Sequence, residues 1–128
     1  MDWQQLSTID ILILSNEDIA GYEDLFPEII AAIDLVVLTR GHQFATVYQH
    51  GQVLDFPVYA TNIIDPTGAG DTFATGFLVN YLETKDIRSA MAFGHVVASF
   101  CIENVGLDGL KNLELVEQRY VEYLETVF

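Results

Sequence analysis

The sequence predicts an α/β layered fold with a mostly parallel sheet plus a hairpin. Three observations carry that prediction. Ile9 to Leu14 and Leu35 to Leu38 are unbroken apolar runs of strand length; a segment with helical spacing separates them; and two short stretches meet at His50-Gly51, a hairpin turn signal. A continuously apolar strand is one buried on both faces, the usual state of a parallel sheet covered by helices.

The elements follow in chain order. Ile9 to Leu14 is the first strand, and Ser15-Asn16 is polar punctuation after it. From about Asp18 to Ile33 the residues Ile19, Tyr22, Leu25, Phe26, Ile29, Ile30 and Ile33 recur at helical spacing, although Gly21 and Pro27 oppose a helix in the first half. Leu35 to Thr39 is a second buried strand, and Ala45 to Tyr48 and Val53 to Phe56 flank the turn. Pro57 and Pro66 bracket a connection. A helix from Asp71 to about Glu83 carries Phe73, Phe77, Leu78, Tyr81 and Leu82 on one side. Another runs from Ile87 to Ile102, capped by Asp86 and closed by the loop Glu103-Asn104-Val105-Gly106. A last amphipathic helix spans about Leu113 to Thr126.

A length of 128 residues suits one domain. Apolar residues make up 51% of the chain, yet no run approaches the eighteen or so that a membrane span needs, so a membrane protein is not expected. Met1-Asp2-Trp3-Gln4-Gln5 has neither the basic start nor the apolar stretch of a secretion signal, which predicts a cytoplasmic protein. The one cysteine, Cys101, lies in an apolar helical segment and reads as core. Nineteen acidic residues against five basic ones give a formal charge of −14, which argues against nucleic acid as a partner. The same charge sets a condition on any phosphate ligand: it needs backbone N–H groups, a helix N-terminus or a metal, because lysine and arginine are scarce.

Asp65-Pro66-Thr67-Gly68-Ala69-Gly70-Asp71-Thr72-Phe73 meets that condition. Gly68 and Gly70 permit φ > 0 and close approach of another group, and the N–H groups at the following helix start form an anion site reinforced by the helix dipole. Asp71 in the first turn has two readings. It complements the dipole, or it accepts a proton from a hydroxyl that attacks a bound phosphoryl group.

The run from Asp65 to Asp71, continued by Thr72-Phe73-Ala74-Thr75-Gly76-Phe77, closely resembles the C-terminal signature of the PfkB/ribokinase family of carbohydrate kinases. At roughly one in twenty per position, seven specified residues match by chance about once in a billion windows. The resemblance extends from about Trp3 to the C-terminus and includes Thr39-Arg40-Gly41. It implies a ribokinase-like three-layer α/β/α sandwich, of which residues 1–128 are the C-terminal nucleotide-binding and catalytic part, without the N-terminal substrate-binding and lid part. It also implies transfer of a phosphoryl group from ATP, with Mg²⁺, to a hydroxyl of a sugar or nucleoside. Asp71 would be the base, and the amides of Gly68, Ala69 and Gly70 would hold the developing charge. Asn16, Thr39 and Gly41 would lie along the nucleotide, and the helix holding Phe93, Gly94 and His95 would flank the base. Asp65 and Thr67, near the turn at Glu103 to Gly106, would form a monovalent-cation loop, suited to K⁺.

One departure bears on the metal. The family commonly carries an Asn-x-x-Glu motif that organises magnesium and phosphates, whereas here Asn16 is followed three residues later by Ile19; Glu17 and Asp18 either substitute for the missing carboxylate or are helix-start carboxylates in solvent. His95 either packs against adenine or fills a helix face. Arg40 either neutralises a phosphate or pairs with a carboxylate. His42, His50 and His95 lack zinc spacing. Without the N-terminal part, a sheet edge and apolar helix faces would be exposed, so the chain is expected to self-associate or to pair with the missing part. A truncated, non-catalytic nucleotide-binding or assembly module is the alternative to a kinase.

Overall fold

A computed structural model describes residues 8–41, 43–59, 68–102 and 113–127. The chain divides into two compact units, Met1–Val58 and Tyr59–Phe128.

The described residues of the first unit form a sheet with one α-helix. Its strands are β1 (Ile11–Ser15), β2 (Leu35–Thr39), β3 (Phe44–Gln49) and β4 (Gln52–Pro57), and the sheet order is β1-β2-β3-β4. β1 and β2 are parallel, with Ile11 opposite Leu35 and Ser15 opposite Thr39. The other two pairings are antiparallel. The described sheet is therefore mixed, with less parallel pairing than expected, because the hairpin supplies half of its strands. Leu35 to Leu38 are all buried, which is why β2 reads as an unbroken apolar run. The hairpin turns at His50 (φ 51°) and Gly51 (φ 79°), two consecutive left-handed residues whose twist matches that of the flanking strands.

Between β1 and β2 lies a helix shorter than the apolar spacing predicts. Gly21 is left-handed (φ 85°), Glu23–Leu25 form one 3₁₀ turn, and only Phe26–Ala32 are α-helical (α1). Pro27 sits in the first turn of α1, where its missing N–H has no intrahelical partner to lose; that makes it a start signal and excludes the helix upstream. Ile29 and Ile33 pack with Val36, flanked by Leu12, Leu14, Phe26 and Tyr48.

The second unit is helical: α2 (Ala69–Thr84), α3 (Ile87–Ile102) and α4 (Leu113–Val127). Lys85 (φ 56°) closes α2 by donating its N–H to the Tyr81 carbonyl at 2.8 Å. Asp86 caps α3 as expected, its carboxylate accepting the N–H groups of Arg88 (3.0 Å) and Ser89 (3.4 Å). Ala92, Val96 and Phe100 of α3 pack with Val116 and Tyr123 of α4. No described helix is long and apolar enough to cross a membrane.

Candidate functional site

In the first unit, the expected nucleotide residues meet at the carboxyl ends of β1 and β2, where open α/β sheets bind their ligands. The Asn16 N–H donates to the Thr39 carbonyl at 2.9 Å, and the Thr39 hydroxyl donates to the Leu14 carbonyl at 3.4 Å. Gly41 follows in a left-handed conformation (φ 60°), and a Cβ there would meet nothing within 4 Å. Asn16, Thr39 and Gly41 are thus neighbours on one sheet end.

The carboxylates after Asn16 divide. Asp18 is committed to the turn: its carboxylate accepts the Ser15 N–H at 2.8 Å, and its own N–H donates to the Ser15 hydroxyl at 3.2 Å. Glu17 is exposed. Among the described residues no group of three or more His, Cys, Asp or Glu could hold a metal ion.

In the second unit, Gly68 precedes α2 in a left-handed conformation (φ 81°, ψ −1°). Its carbonyl accepts both the N–H (2.9 Å) and the hydroxyl (2.8 Å) of Thr72, which locks the first turn. An α-helix leaves its first N–H groups without intrahelical acceptors, here those of Gly68, Ala69, Gly70 and Asp71, and among the described residues no side-chain cap bond to them is seen. These amides and the dipole behind them suit an anion. Asp71 stands exposed in the same turn. Of the two glycines, only Gly68 needs its positive φ. Gly70 is helical, and what it contributes is open space, since a Cβ there would meet nothing within 4 Å.

His95 lies inside the helical unit. It is 4% exposed, with the Phe73 ring 4.8 Å away and the Tyr123 ring 5.9 Å away between centroids. Its buried Nε2 has no hydrogen-bond partner among the described residues, and burial lowers its pKa to about 4. The imidazole is buried against these two aromatic rings. Asp65, Thr67 and the turn at Glu103 to Gly106 lie outside the described residues.

Two features escaped the sequence reading. A Cβ on Gly94 would lie 2.9 Å from two Phe73 ring carbons, and one on Gly76 would lie 3.3 Å from the Gly94 Cα; α2 and α3 cross at these glycines. Their signal was a glycine in the interior of each helix. The Cys101 thiol lies 3.8 Å from where a Gly68 Cβ would be, beneath the anion turn, and single-helix spacing gives no sign of that.

An α/β chain with paired parallel strand ends and a glycine turn feeding a helix N-terminus belongs to the nucleotide- and phosphate-handling class of folds. The model of the pfkB family of carbohydrate kinases matches residues 3–112, and the chain belongs to that family. Among curated relatives, a nucleoside kinase of Methanocaldococcus jannaschii is 33% identical over 75 residues, 58% of this chain and 25% of the relative. Among solved structures, the Burkholderia thailandensis nucleoside kinase in complex with inosine superposes with TM-score 0.84 at 20% identity, covering 95% of this chain and 42% of that one. Arabidopsis thaliana ribokinase complexed with ribose and ATP gives TM-score 0.79 at 22% identity, covering 93% and 43%. The fold is ribokinase-like, and the chain spans well under half of the proteins it matches.

Proposed function

We propose that this chain forms the ATP-handling and catalytic part of a kinase that phosphorylates a hydroxyl of a sugar or nucleoside. The observation that carries the reading is the start of α2: an exposed carboxylate, Asp71, in the same turn as the helix-start amides of Gly68, Ala69 and Gly70. In a protein of net charge −14, those amides are the means of holding a phosphoryl group. The acceptor class rests on family membership and on the nucleosides and sugars of the relatives.

In the proposed reaction Asp71 takes the proton of the acceptor hydroxyl as its oxygen bonds to the γ-phosphorus. The bond from that phosphorus to the β–γ bridging oxygen breaks, and ADP leaves with the bond's electron pair. The amides of Gly68, Ala69 and Gly70 stabilise the charge on the transferred group. Asn16, Thr39 and Gly41 are assigned to the nucleotide. Glu17 is the carboxylate that would hold a Mg²⁺ ion, which would supply neutralisation of phosphate charge. Asp65 and Thr67 are assigned to a monovalent cation such as K⁺. His95 is assigned a supporting place behind Phe73 and not a contact with adenine.

The test is calorimetric titration with MgATP beside phosphorylation assays over a sugar and nucleoside panel, for wild type and Asp71→Asn. The variant is expected to keep its nucleotide affinity within about twofold and to lose on the order of a hundredfold or more in turnover. Turnover surviving in Asp71→Asn would refute the base, and no MgATP binding by wild type would refute the reading itself. A second reading, a non-catalytic nucleotide-binding module, is favoured by Ile19 in the place of a metal-organising glutamate. Binding without transfer to any acceptor would select it.

A further inference from the structure

Arg40 stands between Thr39 and Gly41, the two residues assigned above to the nucleotide, in a chain with only five basic residues. Such a guanidinium invites assignment as a phosphate ligand, but its partners lie elsewhere. It packs over the Phe44 ring, 4.8 Å from the centroid, and donates to the Thr46 hydroxyl. Thr46 is 2% exposed and donates in turn to the Asp55 carboxylate at 2.7 Å. Phe44 and Thr46, two apart on β3, share a face, and Thr46 is directly opposite Asp55 of β4. The side chain therefore lies back along β3, and one hydroxyl relays its charge to a carboxylate.

The Arg40 main chain closes the same turn. Its N–H donates to the Phe44 carbonyl at 3.1 Å, and its carbonyl accepts the Gln43 N–H at 3.2 Å. Backbone and side chain together tie the segment leaving β2 to the hairpin. Gly41 is left-handed, and a Cβ there would meet nothing within 4 Å.

We propose that Arg40 is a positioning residue: through Phe44, Thr46 and Asp55 it holds the Thr39–Gly41 segment in the conformation that receives the nucleotide, and it does not itself contact phosphate. This rests on the assignment of Thr39 and Gly41 made above. Asp55 matters because it orients the Thr46 hydroxyl to accept from Arg40, a charge-assisted arrangement.

The test is the MgATP dissociation constant of the 128-residue chain for wild type, Arg40→Ala, Thr46→Val, their double variant and Asp55→Asn, each with its thermal midpoint. Arg40→Ala and Thr46→Val are each expected to weaken binding by about tenfold, and the double variant no further, because both break one chain of contacts. The loss should persist at high salt, whereas a direct phosphate contact would be screened. Asp55→Asn alters an exposed side chain and keeps the assay informative should the buried substitutions impair folding; it is expected to cost a few-fold. Wild-type binding that is unchanged in these variants, or a loss in Arg40→Ala that Thr46→Val does not share, overturns the positioning role alone. No MgATP binding by wild type overturns the nucleotide assignment and this inference with it.

Discussion

His95 is expected to make the chain less stable in mild acid, and the size of the effect follows from its burial. In the folded chain desolvation lowers its pKa from the ordinary 6.5 to about 4. A group with a depressed folded pKa favours the folded state while neutral. As pH falls through 6.5 the unfolded chain takes up the proton and the folded chain does not, so stability is lost between about pH 6.5 and pH 4 and levels off below. At about 1.4 kcal/mol per tenfold, the full loss is about 3 kcal/mol, of which about 2 kcal/mol has gone by pH 5. The assay is urea unfolding, followed by far-UV circular dichroism, from about pH 8 to pH 5 for wild type and His95→Gln. Glutamine removes the titration at some constant cost for a buried amide, so the informative quantity is the difference in slope with pH. Wild type should lose about 2 kcal/mol more than the variant over that interval. Parallel pH dependence would mean that the folded imidazole can be protonated, and the argument from burial would fail.

Gly94→Ala should destabilise the chain by about 1–3 kcal/mol, because its methyl group would enter the space of the Phe73 ring and carbonyl; a thermal midpoint equal to wild type would refute the close crossing of α2 and α3. Gly68→Ala should cost about 1–2 kcal/mol for a left-handed alanine, while Gly68→Asn should cost less, since asparagine tolerates that conformation; equal losses in chemical denaturation would show that space beside Cys101 matters more than φ.

How much of this was legible in the sequence depends on how local the cause is. β2 was readable because burial on both faces demands an apolar residue at every position, and Asp86 because a cap acts within three residues. The α2 start was readable because glycine, alanine and aspartate around a helix N-terminus act through the backbone, which needs no distant partner. The helix expected from Asp18 failed for a related reason. Its apolar spacing reported what the segment buries, whereas Gly21 and Pro27 decided where it could begin, and Pro27 in a first turn is a beginning and not an interruption.

Side-chain direction is the part that stayed hidden, because it is decided by a second element. Arg40 beside Thr39 left a phosphate and a carboxylate both open; its contacts with Phe44 and Thr46 come from β3, and no spacing within Thr39-Arg40-Gly41 encodes that pairing. His95 left adenine and core both open, and its burial follows from Gly94 beside it. With no side chain at Gly94, α3 comes close enough to α2 for the Phe73 ring to lie against it, and the imidazole is enclosed between Phe73 and Tyr123. A glycine in one helix thus determines the environment of a histidine through an aromatic ring in another. Phe73 is two residues from Asp71, so the packing that buries His95 also seats the turn on which the proposed chemistry depends.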